Sequence, residues 1–181
     1  MTKIINLFGG PGIGKSSIAA GLTYKLKKKH IKVDNPYEFP KQLAWDENHL
    51  AIKDQLYVLA NQHRGIVKSY NKVDFIILDS PILLSLVYKN AYNNNLTYPA
   101  NLYTETFDNM VLDIFNQYDN INILLERSFG EYNEKERYQT IEESKVLDKK
   151  IEDILIKNNL SYFKVKVDEK SVNYILDILN I

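Results

Sequence analysis

The chain contains no cysteine, and none of its apolar runs approaches 18 residues. A chain without cysteine forms no disulfide, no thiolate metal site and no thiol nucleophile, and it fits a reducing compartment. Apolar runs this short exclude a membrane-spanning helix. The apolar stretch near Lys3 leads into glycines instead of a cleavage site. We therefore expect no signal peptide and a cytoplasmic location, in a bacterium or a phage-infected host.

The chain also has no net charge, because 23 lysine and arginine residues balance 23 aspartate and glutamate residues. Nucleic-acid-binding domains usually carry a basic excess, so this balance counts against a nucleic-acid partner. Arginine is scarce, with 3 residues among the 23 basic ones. This usage is typical of an AT-rich genome, such as that of a low-GC bacterium or its phage. Where lysine is the default cation, Arg64, Arg127 and Arg137 are expected where a planar, forked cation is needed.

Apolar runs alternate with amphipathic segments along the 181 residues, a length typical of one domain. Strands are predicted at Lys3–Phe8, Ile31–Asn35, Val73–Asp79, Ile121–Leu125 and Tyr162–Val167. Helices are predicted at Lys15–His30, Asp46–Tyr70, Ile82–Asn90, Ala100–Tyr118, Thr140–Lys157 and Ser171–Leu179. The alternation predicts an α/β fold with a parallel sheet of about five strands and helices on both faces. We expect residues 1–181 to form one domain.

A glycine-rich pattern joins the first predicted strand to the first predicted helix. Residues 9–16 read GGPGIGKS and match the phosphate-binding pattern G-x-x-x-x-G-K-[ST] in full. Glycines let the backbone wrap an anion so that successive N–H groups converge on phosphates, and the positive end of the helix adds to the attraction. In this pattern Lys15 reaches the β- and γ-phosphates, and the Ser16 hydroxyl binds Mg²⁺. The predicted site for ATP and Mg²⁺ comprises Gly9, Gly12, Gly14, Lys15, Ser16 and Ser17.

Three features favour a kinase over other proteins with this loop. No Asn/Thr-Lys-x-Asp segment that would read guanine follows the fourth strand. The chain is too short for a helicase or ring-ATPase core with its accessory helices. Its first strand leads directly into the loop, and about 60 residues separate the loop from Asp79. This layout is typical of nucleoside and nucleotide kinases.

On these residues the sequence resembles the P-loop kinase superfamily, and within it the small phage-type kinases grouped with deoxynucleoside, nucleotide and nicotinamide-riboside kinases. The resemblance covers nearly the whole chain and rests on Gly9–Ser17, Tyr37–Lys41, Asp54-Gln55, Asp79–Pro81 and Arg137–Gln139. It implies a three-layer P-loop fold with a lid at about residues 127–138. It also implies Mg²⁺-dependent transfer of the γ-phosphate of ATP to a nucleoside or nucleotide.

Two carboxylates are candidates for catalysis. The resemblance implies that Glu38, after the second strand, accepts the proton of the acceptor hydroxyl; the alternative is a surface glutamate in a turn bracketed by prolines. Asp79 ends a buried strand at the edge where ligands bind, and is expected to hold Mg²⁺ or to contact the acceptor. Its alternative is to cap a helix that begins near Pro81. Ser80 stands where many related kinases have an arginine that contacts an acceptor phosphate.

The scarce arginines are the remaining catalytic candidates. Arg127 and Arg137 flank a polar segment, and in the superfamily such lid arginines close over the triphosphate and neutralise charge on the transferring phosphoryl group. The alternative is an exposed charged loop. Arg64 and Gln55 lie where related kinases cover the acceptor, with a functional and a structural role both open. The aromatic side chains Phe39, Trp45 and Tyr57 either stack on a base or, as their density favours, belong to the core.

Two other functions remain open at this stage. One is a P-loop kinase or ATPase that acts on modified or unmodified DNA, against which the neutral charge counts. The other is a non-catalytic NTP-binding module, against which Lys15, Ser16 and the lid arginines count. The three histidines show no metal-ligand spacing, so we expect no zinc. The expected partner is a small-molecule acceptor and not a membrane, and the sequence is compatible with a homodimer.

Overall fold

The computed structural model describes residues 1–92, 105–127 and 141–181. Within these residues five strands form one parallel sheet: β1 (Lys3–Phe8), β2 (Val33–Asp34), β3 (Phe75–Leu78), β4 (Asp119–Glu126) and β5 (Phe163–Lys166). Their order in the sheet is β2-β3-β1-β4-β5, so β1 lies at the centre. All neighbouring strands are parallel. The predicted α/β fold with five parallel strands is confirmed.

Helices surround this sheet. The described helices are α1 (Lys15–Lys28), α2 (Phe39–Trp45), α3 (His49–Lys53), α4 (Gln55–Ser69), α5 (Ser85–Tyr92), α6 (Glu105–Asn116), α7 (Ile141–Lys157) and α8 (Ser171–Ile178). A 3₁₀ helix at Ile82–Leu84 precedes α5. No helix in the described ranges is long and apolar enough to cross a membrane.

Different helices cover the two faces of the sheet. Successive residues of a strand point to opposite faces, so adjacent strand residues pack against different helices. Ile4 and Ile76, which are paired neighbours on β1 and β3, pack with apolar residues of α4, α5, α6 and α7. Ile5 and Ile77 are the next pair along these strands and pack with α1 and α8. All four side chains are buried. The three-layer arrangement therefore follows from the alternation of side chains along two central strands.

The prediction of one helix over Asp46–Tyr70 is wrong. The chain forms α3 and α4 there, and Asp54 separates them. The Asp54 Oδ1 atom accepts a hydrogen bond from the backbone N–H of Tyr57 at 3.0 Å, and Asn48 Oδ1 accepts one from Ala51 at 3.1 Å. Each side chain satisfies an N–H group that the first turn of a helix leaves without a partner. Two capping side chains thus start two helices within a stretch whose apolar spacing suggested a single one.

Several other predictions differ at their boundaries. The predicted helix over Ile82–Asn90 opens with the 3₁₀ helix, and the one over Ala100–Tyr118 is described from Glu105 to Asn116. The short helix α2 was not predicted, and Pro40 lies in its first turn. Most of the predicted loop at residues 91–99 and the lid residues 128–138, including Arg137, lie outside the described residues.

The strand pairing brings the ends of three strands together. Asn6 of β1 pairs with Leu78, the last residue of β3, and Phe8 of β1 pairs with Leu124 of β4. Since the strands are parallel, the residues that follow them emerge at the same edge of the sheet. The phosphate loop, residues 9–16, follows β1 there, Asp79 follows β3 and Arg127 follows β4.

Candidate active site

The phosphate loop has the backbone that an anion cradle requires. Gly12 has a φ of 73° and Gly14 a φ of 101°, in the left-handed region that favours glycine. Gly14 directly precedes α1 and has no side chain with which to cap it. The N–H groups of a first helical turn have no acceptor within the helix and attract anions. In α1 this turn is formed by Lys15, Ser16 and Ser17 and carries no acidic residue, and both serines are exposed. The cradle therefore fits phosphate.

Lys15 lies back across this loop. Its Nζ donates to the carbonyl oxygen of Gly9 at 2.7 Å and to that of Gly10 at 2.9 Å. These two hydrogen bonds hold the ammonium group over the cradle, where it is available to a bound phosphate.

Burial lowers the pKa of Lys15 from its usual 10.5 to about 8. The nearby charges of Glu38, Asp79 and Asp148 act in the opposite direction, in that order of size, while the guanidinium of Arg127 lowers the pKa further. Three carboxylates and a second cation therefore surround Lys15. Such a cluster of interacting charges beside an anion cradle is typical of a functional site.

Arg127 contacts the phosphate loop at the residue next to those that Lys15 contacts. Its Nη2 donates to the carbonyl oxygen of Pro11 at 2.8 Å, and its Nε donates to Asp148 Oδ2 at 2.5 Å. Both side chains are mostly buried, with exposed fractions of 17% for Arg127 and 23% for Asp148. The structure thus places this scarce arginine at the phosphate loop, whereas an exposed charged loop was the alternative.

Asp148 is a site residue that the sequence analysis missed. It lies on α7, and its Oδ1 atom accepts a hydrogen bond from the backbone N–H of Gly10 at 2.6 Å. No signal in the sequence set it apart, because the burial of its neighbour Leu147 and of Ser144 and Ile151, one turn away, is known only from the structure. A carboxylate on the buried face of an amphipathic helix needs a partner, which here is the phosphate loop together with Arg127.

Glu38 and Asp79 line the same cleft beside the phosphate loop. This cleft of about 480 Å³, here called the Glu38–Asp79 cleft, is bounded by Ala20, Thr23, Tyr24, Asn35, Pro36, Tyr37, Glu38, Lys41 and Asp79. Asp79 is buried, and Pro81 precedes the 3₁₀ helix, so Asp79 does not stand at its capping position. The geometry brings both predicted carboxylates to one place, and their separate roles stay predictions.

The other candidates differ in where they lie. Gln62 lines a narrow recess that adjoins the Glu38–Asp79 cleft, and its Nε2 donates to Ser80 Oγ at 2.9 Å. Gln55 is buried and donates to the carbonyl oxygen of Ile52 at 2.9 Å, which gives it a structural contact. Arg64 is exposed on α4 and is not among the described residues that line either space.

The expectation that the aromatic side chains belong to the core is wrong for two of them. Trp45 is 68% exposed and Tyr57 is 46% exposed. Phe39 packs edge-on against Tyr57 with ring centroids 5.2 Å apart, and Lys41 Nζ lies 4.9 Å from the Trp45 ring centroid. The surface around α2 therefore presents aromatic groups to solvent.

A family model described as an AAA domain, AAA_28, matches residues 4–171. The chain belongs to the AAA_28 family. This match includes the phosphate loop, Glu38, Asp79 and Asp148, and it extends through nearly the whole chain. No curated protein matches the chain in sequence.

Solved structures share the fold of this AAA_28 domain. The NadR protein in complex with NR has a TM-score of 0.73 and 12% identity, covering 99% of this chain and 52% of that one, so the chain spans about half the length of NadR. Deoxyadenosine kinase from M. mycoides with bound dATP has a TM-score of 0.60 and 23% identity, covering 98% and 100% of the two chains. The Mycobacterium tuberculosis APS kinase CysC in complex with AMPPNP and APS has a TM-score of 0.51 and 12% identity, covering 99% and 98%. These likenesses establish the P-loop kinase fold.

The donor set of the AAA_28 domain fits magnesium carried by a nucleotide. Ser16 offers a hydroxyl at the exposed start of α1, and Asp79 offers a carboxylate at the same edge of the sheet. Mg²⁺ prefers such oxygen donors and is usually held by one or two protein groups together with phosphates and waters. Among the described residues, no group of three or more histidines and carboxylates forms a metal cage. Ser16 and Asp79 are the residues that would hold the ion.

Proposed function

We propose that this AAA_28 domain is a kinase that transfers the γ-phosphate of ATP, with Mg²⁺, to a hydroxyl group of a nucleoside or nucleotide. The observation that carries the proposal is the Glu38–Asp79 cleft beside Lys15 and the phosphate loop. A simple nucleotide-binding switch needs the loop alone. The Glu38–Asp79 cleft, which carries two carboxylates next to the loop, supports binding of an acceptor whose hydroxyl reacts there.

Each group has a distinct task in this reaction. The N–H groups of the phosphate loop and Lys15 bind the β- and γ-phosphates and neutralise their growing negative charge. Arg127 adds a second positive charge at the same loop. When bound, Mg²⁺ would supply further positive charge against the phosphates. Ser16 and Asp79 would hold that ion at this edge of the sheet.

Glu38 acts on the acceptor. The acceptor oxygen forms a bond to the γ-phosphorus while the bond from this phosphorus to the β–γ bridging oxygen breaks, and ADP leaves. The proton of the acceptor hydroxyl goes to the Glu38 carboxylate. A glutamate suits this task because its side chain is long and it lies in the segment between β2 and α2, on the wall of the cleft.

The test is a panel of acceptors assayed for ADP formation from Mg²⁺ and ATP. The panel contains nucleosides, including nicotinamide riboside, nucleoside monophosphates and a DNA oligonucleotide with a free 5′ hydroxyl. We expect ADP formation to depend on one nucleoside or nucleotide class and to disappear in Lys15→Ala. Turnover with the oligonucleotide alone would favour the DNA-directed alternative. ATP binding without turnover on any acceptor would contradict the proposal and favour a binding module.

A further inference from the structure

We propose that Asp148 is a positioning residue that holds Arg127 and the first half of the phosphate loop in the arrangement that receives the terminal phosphate of ATP. This inference rests on the proposed function. It concerns a residue on α7, far along the chain from the loop, which no sequence pattern marked.

The Asp148 carboxylate joins three parts of the molecule. Its Oδ2 atom accepts from Arg127 Nε at 2.5 Å, and its Oδ1 atom accepts from the Gly10 backbone N–H at 2.6 Å. Arg127 Nη2 lies 3.4 Å from Oδ1 and completes a two-pronged contact. Hydrogen bonds between charged groups in a fork are stronger and more directional than neutral ones. The carboxylate therefore ties α7 both to the end of β4 and to the phosphate loop.

Space at Gly10 shows how closely these parts approach each other. A Cβ atom on Gly10 would stand 2.6 Å from Asp148 Oδ1, 2.8 Å from the Ser144 carbonyl oxygen and 3.0 Å from Arg127 Nη2. All three distances are too short for an ordinary contact with a Cβ atom. The loop backbone at this glycine thus lies directly against α7, and its position depends on the Asp148 side chain of that helix.

Two cations meet adjacent parts of the loop. Lys15 Nζ contacts the carbonyl oxygens of Gly9 and Gly10, and Arg127 Nη2 contacts that of Pro11. Because Lys15 in this motif reaches the β- and γ-phosphates, and Arg127 contacts the residue next to those that Lys15 contacts, we expect Arg127 near the terminal phosphate. The two cations repel each other, and the Asp148 carboxylate offsets this repulsion. Without that charge, Arg127 keeps its hydrogen bond to Pro11 but loses the ion pair that offsets its repulsion from Lys15.

The experiment measures the affinities of Mg²⁺·ATP and Mg²⁺·ADP by equilibrium titration, so it needs no acceptor. Asp148→Asn keeps the size of the side chain and removes its charge. We expect it to lower the preference for ATP over ADP by about tenfold, through weaker ATP binding. Arg127→Gln should lower the preference by a similar factor, and the double variant should lose no more than either single variant. The matched control is Asp153→Asn, on the exposed side of α7, which should keep the wild-type preference.

The outcomes separate a positioning role from a structural one. An unchanged ATP preference in Asp148→Asn, equal losses for ATP and ADP, or additive losses in the double variant would each overturn the proposal. If Asp148→Asn does not fold, the double variant decides, because it leaves no unpaired cation. The same preference for ATP over ADP as in Arg127→Gln would support the proposal, and a lower preference would overturn it. A wild-type protein that binds no ATP would instead refute the proposed function. If the wild-type protein turns over an acceptor but Asp148→Asn keeps the wild-type preference for ATP over ADP, this inference alone would be overturned.

Discussion

The phosphate loop with its bound side chains and the Glu38–Asp79 cleft, here called the phosphate end and the proposed acceptor end of the site, lie side by side at one edge of the sheet but are held in different ways. At the phosphate end, Lys15, Arg127 and Asp148 are each hydrogen-bonded to the loop, and Arg127 and Asp148 to each other, at 2.5 to 2.9 Å. At the acceptor end, Glu38 stands before the short helix α2, around an open cleft of about 480 Å³. A tightly bonded loop suits chemistry that is common to many kinases, whereas an open cleft next to a short helix suits the choice of substrate.

The largest effect expected from breaking the phosphate end is that of Lys15→Ala. This variant should fold, because Lys15 bonds only to loop carbonyls among the contacts described, yet lose phosphotransfer by about 10³-fold or more. The reason is that Lys15 neutralises charge that grows in the transition state. ADP formation at saturating acceptor measures the loss, with a thermal melt as the folding control. Turnover near the wild-type level would remove the basis for a phosphate-loop kinase.

Breaking the acceptor end should leave nucleotide binding in place. Glu38→Gln should lower kcat by about 10²–10⁴-fold, the usual contribution of a general base, while the affinity for ATP stays nearly unchanged. Kinetic and binding titrations on the same preparation measure both quantities. Glu47→Gln, at an exposed residue after α2, is the matched control and should behave as wild type. A large fall in ATP affinity for Glu38→Gln would instead place this residue at the phosphate end.

The next prediction concerns Asp79, which lies between the phosphate end and the acceptor end. Asp79→Asn should raise the Mg²⁺ concentration needed for half-maximal rate by about tenfold or more, because it removes a charged oxygen ligand or a group that orients one. The rate at saturating Mg²⁺ should fall as well. Glu38→Gln serves as the control, since it should lower the rate without moving the Mg²⁺ dependence. The opposite pattern in the two variants would exchange their assignments and leave the kinase proposal in place.

The effect that needs no substitution is a pH dependence of ATP binding. The pKa of Lys15 is lowered by burial to about 8, so its ammonium group is charged below that pH and loses its charge above it. Affinity for ATP should therefore be constant below pH 8 and fall by up to about tenfold per pH unit above it. Titrations from pH 7 to pH 10 measure this slope. Lys15→Ala should show a flat profile over this range, and an equal slope in that variant would assign the effect to another group.

The same comparison shows what the sequence could predict. The phosphate loop was predictable because its chemistry is contiguous, running from Gly9 to Ser16 between a strand and a helix. The position of Asp79 was predictable because it follows a continuous apolar strand. Asp148 was not, since it reaches Gly10 across 138 residues of sequence through the packing of α7. Periodicity has no access to contacts of that kind.

The acceptor end was predicted less well for a different reason. At α3 and α4 the local structure is set by the capping side chains Asn48 and Asp54, which outweigh the apolar spacing. The exposure of Trp45 likewise contradicts the usual burial of large aromatic groups. Short elements are determined by single hydrogen bonds instead of by a repeated pattern, and a pattern-based prediction averages over such bonds.

The central place of β1 has a consequence for biosynthesis. Lys3 pairs with Phe75 on one side and with Asp119 on the other, so both neighbours of the first strand are made long after it. At the rates of 5–20 residues per second typical of translation, β1 waits on the order of ten seconds for β4. During that time the apolar side chains of Ile4, Ile5 and Leu7 have no completed sheet to join. The nascent chain should therefore depend on chaperones until β4 has emerged, and products that end before residue 119 should aggregate.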